Sequence, residues 1–148
     1  MKNFLLCLCL VGLVFANDSE NAKFEAQCKA GDTDKCFELA WNLQNSCEKT
    51  PNFEVGAKAI SIYEKICNSN ETRIYSACLR LAEIYGGNNC TQKNQQKSLQ
   101  YMKMSCDKEN VTNVCTFYKR VSNSIKKFKT DCKNGDTKSC DWLKSQGY

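Results

Sequence analysis

The sequence predicts an all-α fold, a solenoid of stacked helix pairs whose corners are pinned by disulfides. Three observations point there. The stretch Cys28-Lys-Ala-Gly-Asp-Thr-Asp-Lys-Cys36 returns near the other end as Cys132-Lys-Asn-Gly-Asp-Thr-Lys-Ser-Cys140, with looser copies at Cys67/Cys78 and Cys106/Cys115. Cys28, Cys67 and Cys106 stand 39 residues apart each time, and recurrence at such an interval is the mark of a repeat architecture. Helix breakers are also scarce, with one proline and seven glycines in 148 residues, while apolar residues recur at the helical period.

Taken in order, residues 1–16 read as a cleaved secretory signal. Lys2 supplies the positive start, Phe4 to Phe15 is a nearly unbroken apolar run, and Val14-Phe15-Ala16 offers a cleavage site. The run is short for a bilayer span, and no membrane anchor is expected once it is removed. Cys7 and Cys9 follow leucine, so a lipid-anchored cysteine is not expected either. Residues 17–148 are expected to form one repeat domain of about three helix pairs and a terminal capping helix.

The repeated motif reads as a helix end, a tight turn and a helix start. Gly31 and Gly135 stand where a helix C-terminus favours positive φ. Asp32-Thr33 and Asp136-Thr137 supply N-capping side chains for the next helix. The flanking cysteines then sit in the last turn of one helix and the first turn of the next. A bond between them staples the corner, a stabilisation of roughly 2–3 kcal/mol in the chain-entropy model.

Helical stripes follow. Cys36, Leu39, Ala40 and Leu43 form one; Ala59, Ile62, Tyr63 and Ile66 another; Ala77, Cys78, Leu81, Ala82 and Tyr85 a third. The second helix should be entered through Thr50-Pro51, with proline at its first position and Val55-Gly56-Ala57 in its first turns. Laying Cys67 on Cys106 brings Ala59 onto Ser98 and Ile62 onto Tyr101. The last unit is irregular: sixteen residues separate Cys115 from Cys132, and either two short helices or one long helix fills Val114 to Thr130. Trp142 is expected as a terminal core plug, and Trp41, beside Ala40, either packs in the core or leans toward a binding face.

Without the leader, ten of the twelve cysteines remain. An even, large number in an exported chain implies a disulfide framework. Zinc is the competing use, but the chain has no histidine and its mature part no C-x-x-C pair, so neither metal nor cofactor is expected. Four pairs follow the corners: Cys28–Cys36, Cys67–Cys78, Cys106–Cys115 and Cys132–Cys140. The remaining two, Cys47 and Cys90, fall at equivalent places in adjacent repeats, in loops rich in Asn and Gly, and are expected to form the fifth.

The net charge is +5, and from Lys119 to Tyr148 eight Lys/Arg stand against three Asp. A basic end can favour an anionic surface polymer or an acidic partner; the plainer reading is a solvated helix face. Asn70-Glu-Thr72, Asn89-Cys-Thr91 and Asn110-Val-Thr112 match the glycosylation triplet, a pattern that arises readily in an Asn-rich chain.

Ser76-Ala-Cys-Leu-Arg-Leu-Ala-Glu-Ile-Tyr-Gly-Gly, Lys58-Ala-Ile-Ser-Ile-Tyr-Glu-Lys-Ile-Cys67 and Gln96-Lys-Ser-Leu-Gln-Tyr-Met-Lys-Met-Ser-Cys106 resemble the Sel-one-like repeat. The cysteines at eight-residue spacing are similar to those of the Helicobacter cysteine-rich proteins, an exported branch of that family. The resemblance implies tetratricopeptide-like helix pairs and a concave face lined by the first helix of each pair. It also implies β-lactamase or penicillin-binding activity, as the alternative function. The chain departs from the pattern in the wide Cys67–Cys78 turn, the Gly86-Gly87-Asn88-Asn89-Cys90 loop and the shortened third unit.

The chemistry for such an activity is thin. Ser46-Cys-Glu-Lys49, Ser105-Cys-Asp-Lys108 and Ser124-Ile-Lys-Lys127 fit S-x-x-K, but no K-T-G follows. With eleven serines and eighteen lysines such matches arise by chance, and the absence of histidine removes the commonest neutral-pH base. No catalytic residue is assigned. The expectation is a secreted or periplasmic monomer that binds a protein, a peptide or a peptidoglycan-related component, and not nucleic acid. Helical phase beside the core stripe nominates Glu38, Trp41, Asn42, Arg80 and Glu83 as contact residues.

Overall fold

A computed structural model describes residues 19–70, 73–109 and 112–148. The expected signal peptide, with Cys7 and Cys9, lies outside the described residues. Within them the chain is all helical: α1 over residues 19–29, α2 Thr33–Lys49, α3 Phe53–Cys67, α4 Ile74–Gly87, α5 Gln95–Glu109, α6 Thr112–Lys133 and α7 Thr137–Ser145.

The two copies of the motif fold alike, because the same residues meet the same backbone demands. Gly31 and Gly135 take φ of 96° and 97°. The amide of each donates three residues back, and the following aspartate amide reaches further: Gly31 to Cys28 O, Asp32 to Gln27 O, Gly135 to Cys132 O and Asp136 to Asp131 O. This is the Schellman closure of a helix end. The aspartates, not the threonines, then cap the next helix, with Asp32 accepting from the Lys35 amide at 3.0 Å and Asp136 from the Lys138 amide at 3.3 Å. Gly147, at φ 79°, closes α7 in the same way, with the Tyr148 amide donating to Leu143 O at 2.9 Å.

Relative to its helix, proline stands two positions earlier than the sequence suggests. Pro51 precedes the cap of α3; Asn52 is the cap and its Oδ1 accepts from Glu54 N and Val55 N. A side chain that satisfies two orphan amides outcompetes a ring that merely tolerates the first position.

Each helix packs on the next, α2 on α3, α3 on α4, α4 on α5, α5 on α6 and α6 on α7. Lateral bonds then join the pairs. On one side Arg73 Nε donates to Asp34 Oδ1 at 2.7 Å and Cys47 bonds to Cys90, linking α2 to both ends of α4. On the other, Tyr101 of α5 donates to Glu64 Oε1 of α3 at 2.7 Å. Sequential pairing with lateral stacking makes the architecture solenoid-like.

All five disulfides form in the expected pairs, with Cα separations of 4.5 to 5.1 Å, inside the range the bond permits. Cys47 lies in the last turn of α2 rather than in a loop, and Ser46 with it; Cys90 does lie in the loop after α4. Five bonds of this kind place the chain in an oxidising, extracytoplasmic compartment. Among the described residues no helix is long and apolar enough to cross a membrane.

The core lies on α2, α3 and α4, built from the predicted stripes: Ala40, Ala59, Tyr63, Ala77, Cys78 and Leu81 are fully buried. Tyr63 meets Phe37 edge-on at 5.5 Å, and Tyr85 stacks on Tyr101 at 5.8 Å. Of the two arrangements open for Val114 to Thr130 the chain adopts the single helix, α6, since no glycine or proline interrupts 112–133. Its ends are stapled to α5 and α7. Among the described residues, the buried apolar side chains that this last unit supplies are Cys115, Ile125 and Leu143. Trp142 is not a core plug. It stays 36% exposed and stacks on Phe128 at 4.3 Å, while Leu143 takes the buried position.

Candidate binding surface

Three of the five nominated contact residues come together across α2 and α4. The Arg80 guanidinium carbon lies 3.9 Å from the centre of the Trp41 ring, and its Nη1 donates to Glu83 Oε2 at 2.8 Å. The lateral stacking of the pairs creates this contact: on the stripes that align Leu39 with Leu81, Arg80 holds in α4 the place that Glu38 holds in α2, one turn before Trp41. A cation held over indole and tied to a carboxylate is pre-oriented, an exposed version of a contact worth about 0.5–1 kcal/mol. Glu38 stands one turn before Trp41, half-buried. Asn42 is directed elsewhere: its Nδ2 donates to Asn21 Oδ1 on α1 at 3.0 Å.

Beneath this cluster runs a polar chain, buried at Tyr63 and Gln44, that the sequence did not reveal. The Tyr63 hydroxyl donates to Gln44 Oε1 at 3.1 Å, and Gln44 Nε2 donates to Glu48 Oε1 at 2.8 Å. Asn88 Nδ2 donates to the same carboxylate oxygen at 2.8 Å, and Asn89 Nδ2 to the Glu48 carbonyl at 3.1 Å. Burial pushes the Tyr63 phenol well above its ordinary range; nearby Arg80 opposes the shift, while Glu83, Glu48 and Glu38 add to it. The chain ties the 88–90 loop to the end of α2 beside Cys47–Cys90, and so fixes the register in which Arg80 meets Trp41. Asn89, in one of the glycosylation triplets, is spent on this tie; the other two triplets extend outside the described residues.

Glu83 is shared with a second feature, an apolar cleft of about 330 Å³ walled by α4, α5, α6 and α7. Leu79 and Ala82 line one wall, Leu99 and Met102 the next, and Phe117, Val121, Ile125 and Trp142 the far side. The cleft exists because α6 and α7 supply too few apolar side chains to close over α4–α5. Phe117 is left 52% exposed. A signal for it was present in Phe117, Val121 and Ile125, one helical face at i, i+4, i+8, but a stripe says only that something packs there. Tyr148 bounds one end, its hydroxyl donating to Gln95 O at 3.5 Å and its ring under Lys129 Nζ at 5.2 Å.

The three S-x-x-K matches are dispersed. Ser105 is fully buried and its hydroxyl donates to Tyr75 O at 3.2 Å. Ser124 donates to Arg120 O one turn back, and Lys127 of the same motif is bound to Asp131 at 2.6 Å. Ser46 is exposed on the last turn of α2. Among the described residues no cluster of three or more His, Cys, Asp or Glu side chains is arranged to hold a metal. Comparison with known protein families, with curated proteins and with solved structures finds no match to this chain.

Proposed function

We propose that the chain is an exported binding module, secreted or periplasmic, which holds an extended protein, peptide or cell-wall-derived partner along the faces of α2, α4 and α6. One observation carries the reading. The Trp41–Arg80–Glu83 cluster runs without a break, through Glu83, into the apolar cleft rimmed by Phe117 and Trp142. Stacked, disulfide-stapled helices keep such a surface rigid, so a partner meets side chains already in place. Exposed aromatic and arginine side chains are the residues that dominate binding energy at interfaces. The resemblance to Sel-one-like repeats supports the same use.

The test is a peptide-display selection on the immobilised, oxidised chain. Selected ligands should bind Trp41→Ala and Arg80→Ala about tenfold or more weakly, and Lys65→Glu, on the exposed face of α3, with unchanged affinity. Ligands that ignore the first two substitutions, or repeated failure to enrich any, would refute the reading.

A further inference from the structure

Resting on the binding reading above, we propose that the cleft between α4–α5 and α6–α7 takes one bulky apolar side chain from an acidic segment of the partner. The walls decide the anchor. Among the described residues the cleft's one charged lining side chain is Glu83, and Arg80 already holds it. The remainder is aliphatic, aromatic or neutral polar, and about 330 Å³ lies at the small end of ligand sites. That volume fits a single side chain better than a drug-sized ligand, and Phe117 and Trp142 stand at its rim.

The surroundings decide the flanks. A polar recess that shares Gln95 and Gln146 with the cleft carries Lys93 and Lys144. On the other side, a recess sharing Leu99 and Tyr148 carries Lys103 and Lys129. Among the described residues no carboxylate pairs with Lys93, Lys129 or Lys144; Lys103 is paired with Asp107. The helical end that supplies two of these lysines has eight basic against three acidic residues from 119 to 148. One of those acids is bound to Lys127 and another caps α7. An apolar slot between unneutralised cations selects an apolar residue with carboxylates on either side, and disfavours a basic one by like-charge repulsion.

The experiment titrates the whole oxidised chain against three dye-labelled peptides by anisotropy. The first is built of Glu, Asp and Ser around a central Phe; the second replaces that Phe with Ala; the third keeps the Phe and replaces the acids with Lys. The first should bind about tenfold or more tightly than either control, and its affinity should fall with added salt. The double substitution Lys93→Glu and Lys144→Glu, both on exposed side chains, should weaken it about tenfold without moving the thermal midpoint. Leu99→Asp, on the wall, should abolish it; if that variant does not fold, the lysine pair still decides. Equal binding of acidic and basic peptides overturns the inference, as does indifference to the Phe or to the lysine pair, or no binding at all. So does N-acetylphenylalaninamide binding as tightly as the first peptide. The broader reading is judged apart, by whether display-selected ligands depend on Trp41 and Arg80.

Discussion

Gly56 sits inside α3, where alanine would ordinarily be the better residue by about 1 kcal/mol. Here a Cβ at that position would lie 1.9 Å from the Cys90 carbonyl oxygen, 2.7 Å from its carbon and 3.0 Å from its Cα. These are backbone atoms, and three ties hold them: the Cys47–Cys90 bond, Asn88 on the Glu48 carboxylate and Asn89 on the Glu48 carbonyl. Restoring ordinary contact requires the loop to retreat by more than about 1 Å. That strains the two hydrogen bonds, worth about 1 kcal/mol each and more for the one a carboxylate accepts, on top of an overpacking cost of about 1–3 kcal/mol. After the propensity gain, Gly56→Ala should destabilise the oxidised chain by about 2–4 kcal/mol, a fall in Tm on the order of 10 °C. The assay is urea and thermal unfolding followed by circular dichroism, with Gly31→Ala alongside. Gly31 has positive φ but nothing within 4 Å of its Cβ, so its cost is conformational alone, about 1 kcal/mol. A Gly56→Ala chain as stable as the parent, with Cys47–Cys90 still resistant to reduction, would refute the close approach.

Further outcomes follow from the same contacts. Replacing Cys47 and Cys90 together by alanine should cost the most of any bond, since a separation of 43 residues corresponds to about 4 kcal/mol in the chain-entropy model, against roughly 2.5–3 kcal/mol for the corner bonds. Under graded reductant, mass mapping should find the part-exposed Cys28–Cys36 and Cys132–Cys140 opening before the fully buried Cys47–Cys90 and Cys67–Cys78; the reverse order would contradict the burial. Both Tyr63 and Tyr101 have phenols pushed up by burial, Tyr101 also by its bond to Glu64. The folded chain thus keeps protons that the unfolded chain releases above about pH 10. Stability should be complete below that pH and fall as it is exceeded; urea midpoints between about pH 8 and 11 should show Tyr63→Phe or Tyr101→Phe flattening the decline, and an unchanged slope would count against the buried phenols. Finally, Ser46→Ala, Ser105→Ala and Ser124→Ala should leave any turnover of a chromogenic cephalosporin where it was, with Ser105→Ala costing about 1 kcal/mol of stability; a rate that drops in one of them would reinstate a serine mechanism.

The amino-acid sequence by itself determined the local grammar of this chain. A glycine followed by aspartate and threonine specifies its own turn, because positive φ and side-chain capping are satisfied within a few residues; both copies obey it to within a degree at Gly31 and Gly135. The stripes and corner cysteines followed, since a helix period or a short loop needs no knowledge of distant neighbours. Even Cys47–Cys90 was legible, as the two cysteines left over, each about a dozen residues after the first-helix cysteine of its repeat. What needed the tertiary structure was everything that depends on two elements meeting: Trp41 under Arg80, the Tyr63–Gln44–Glu48–Asn88 chain, and Gly56 against the Cys90 carbonyl. The cleft belongs there too. Helical phase can tell that Phe117, Val121, Ile125 and Trp142 want cover, but only the packing of α6 and α7 on α4–α5 decides that the cover is incomplete.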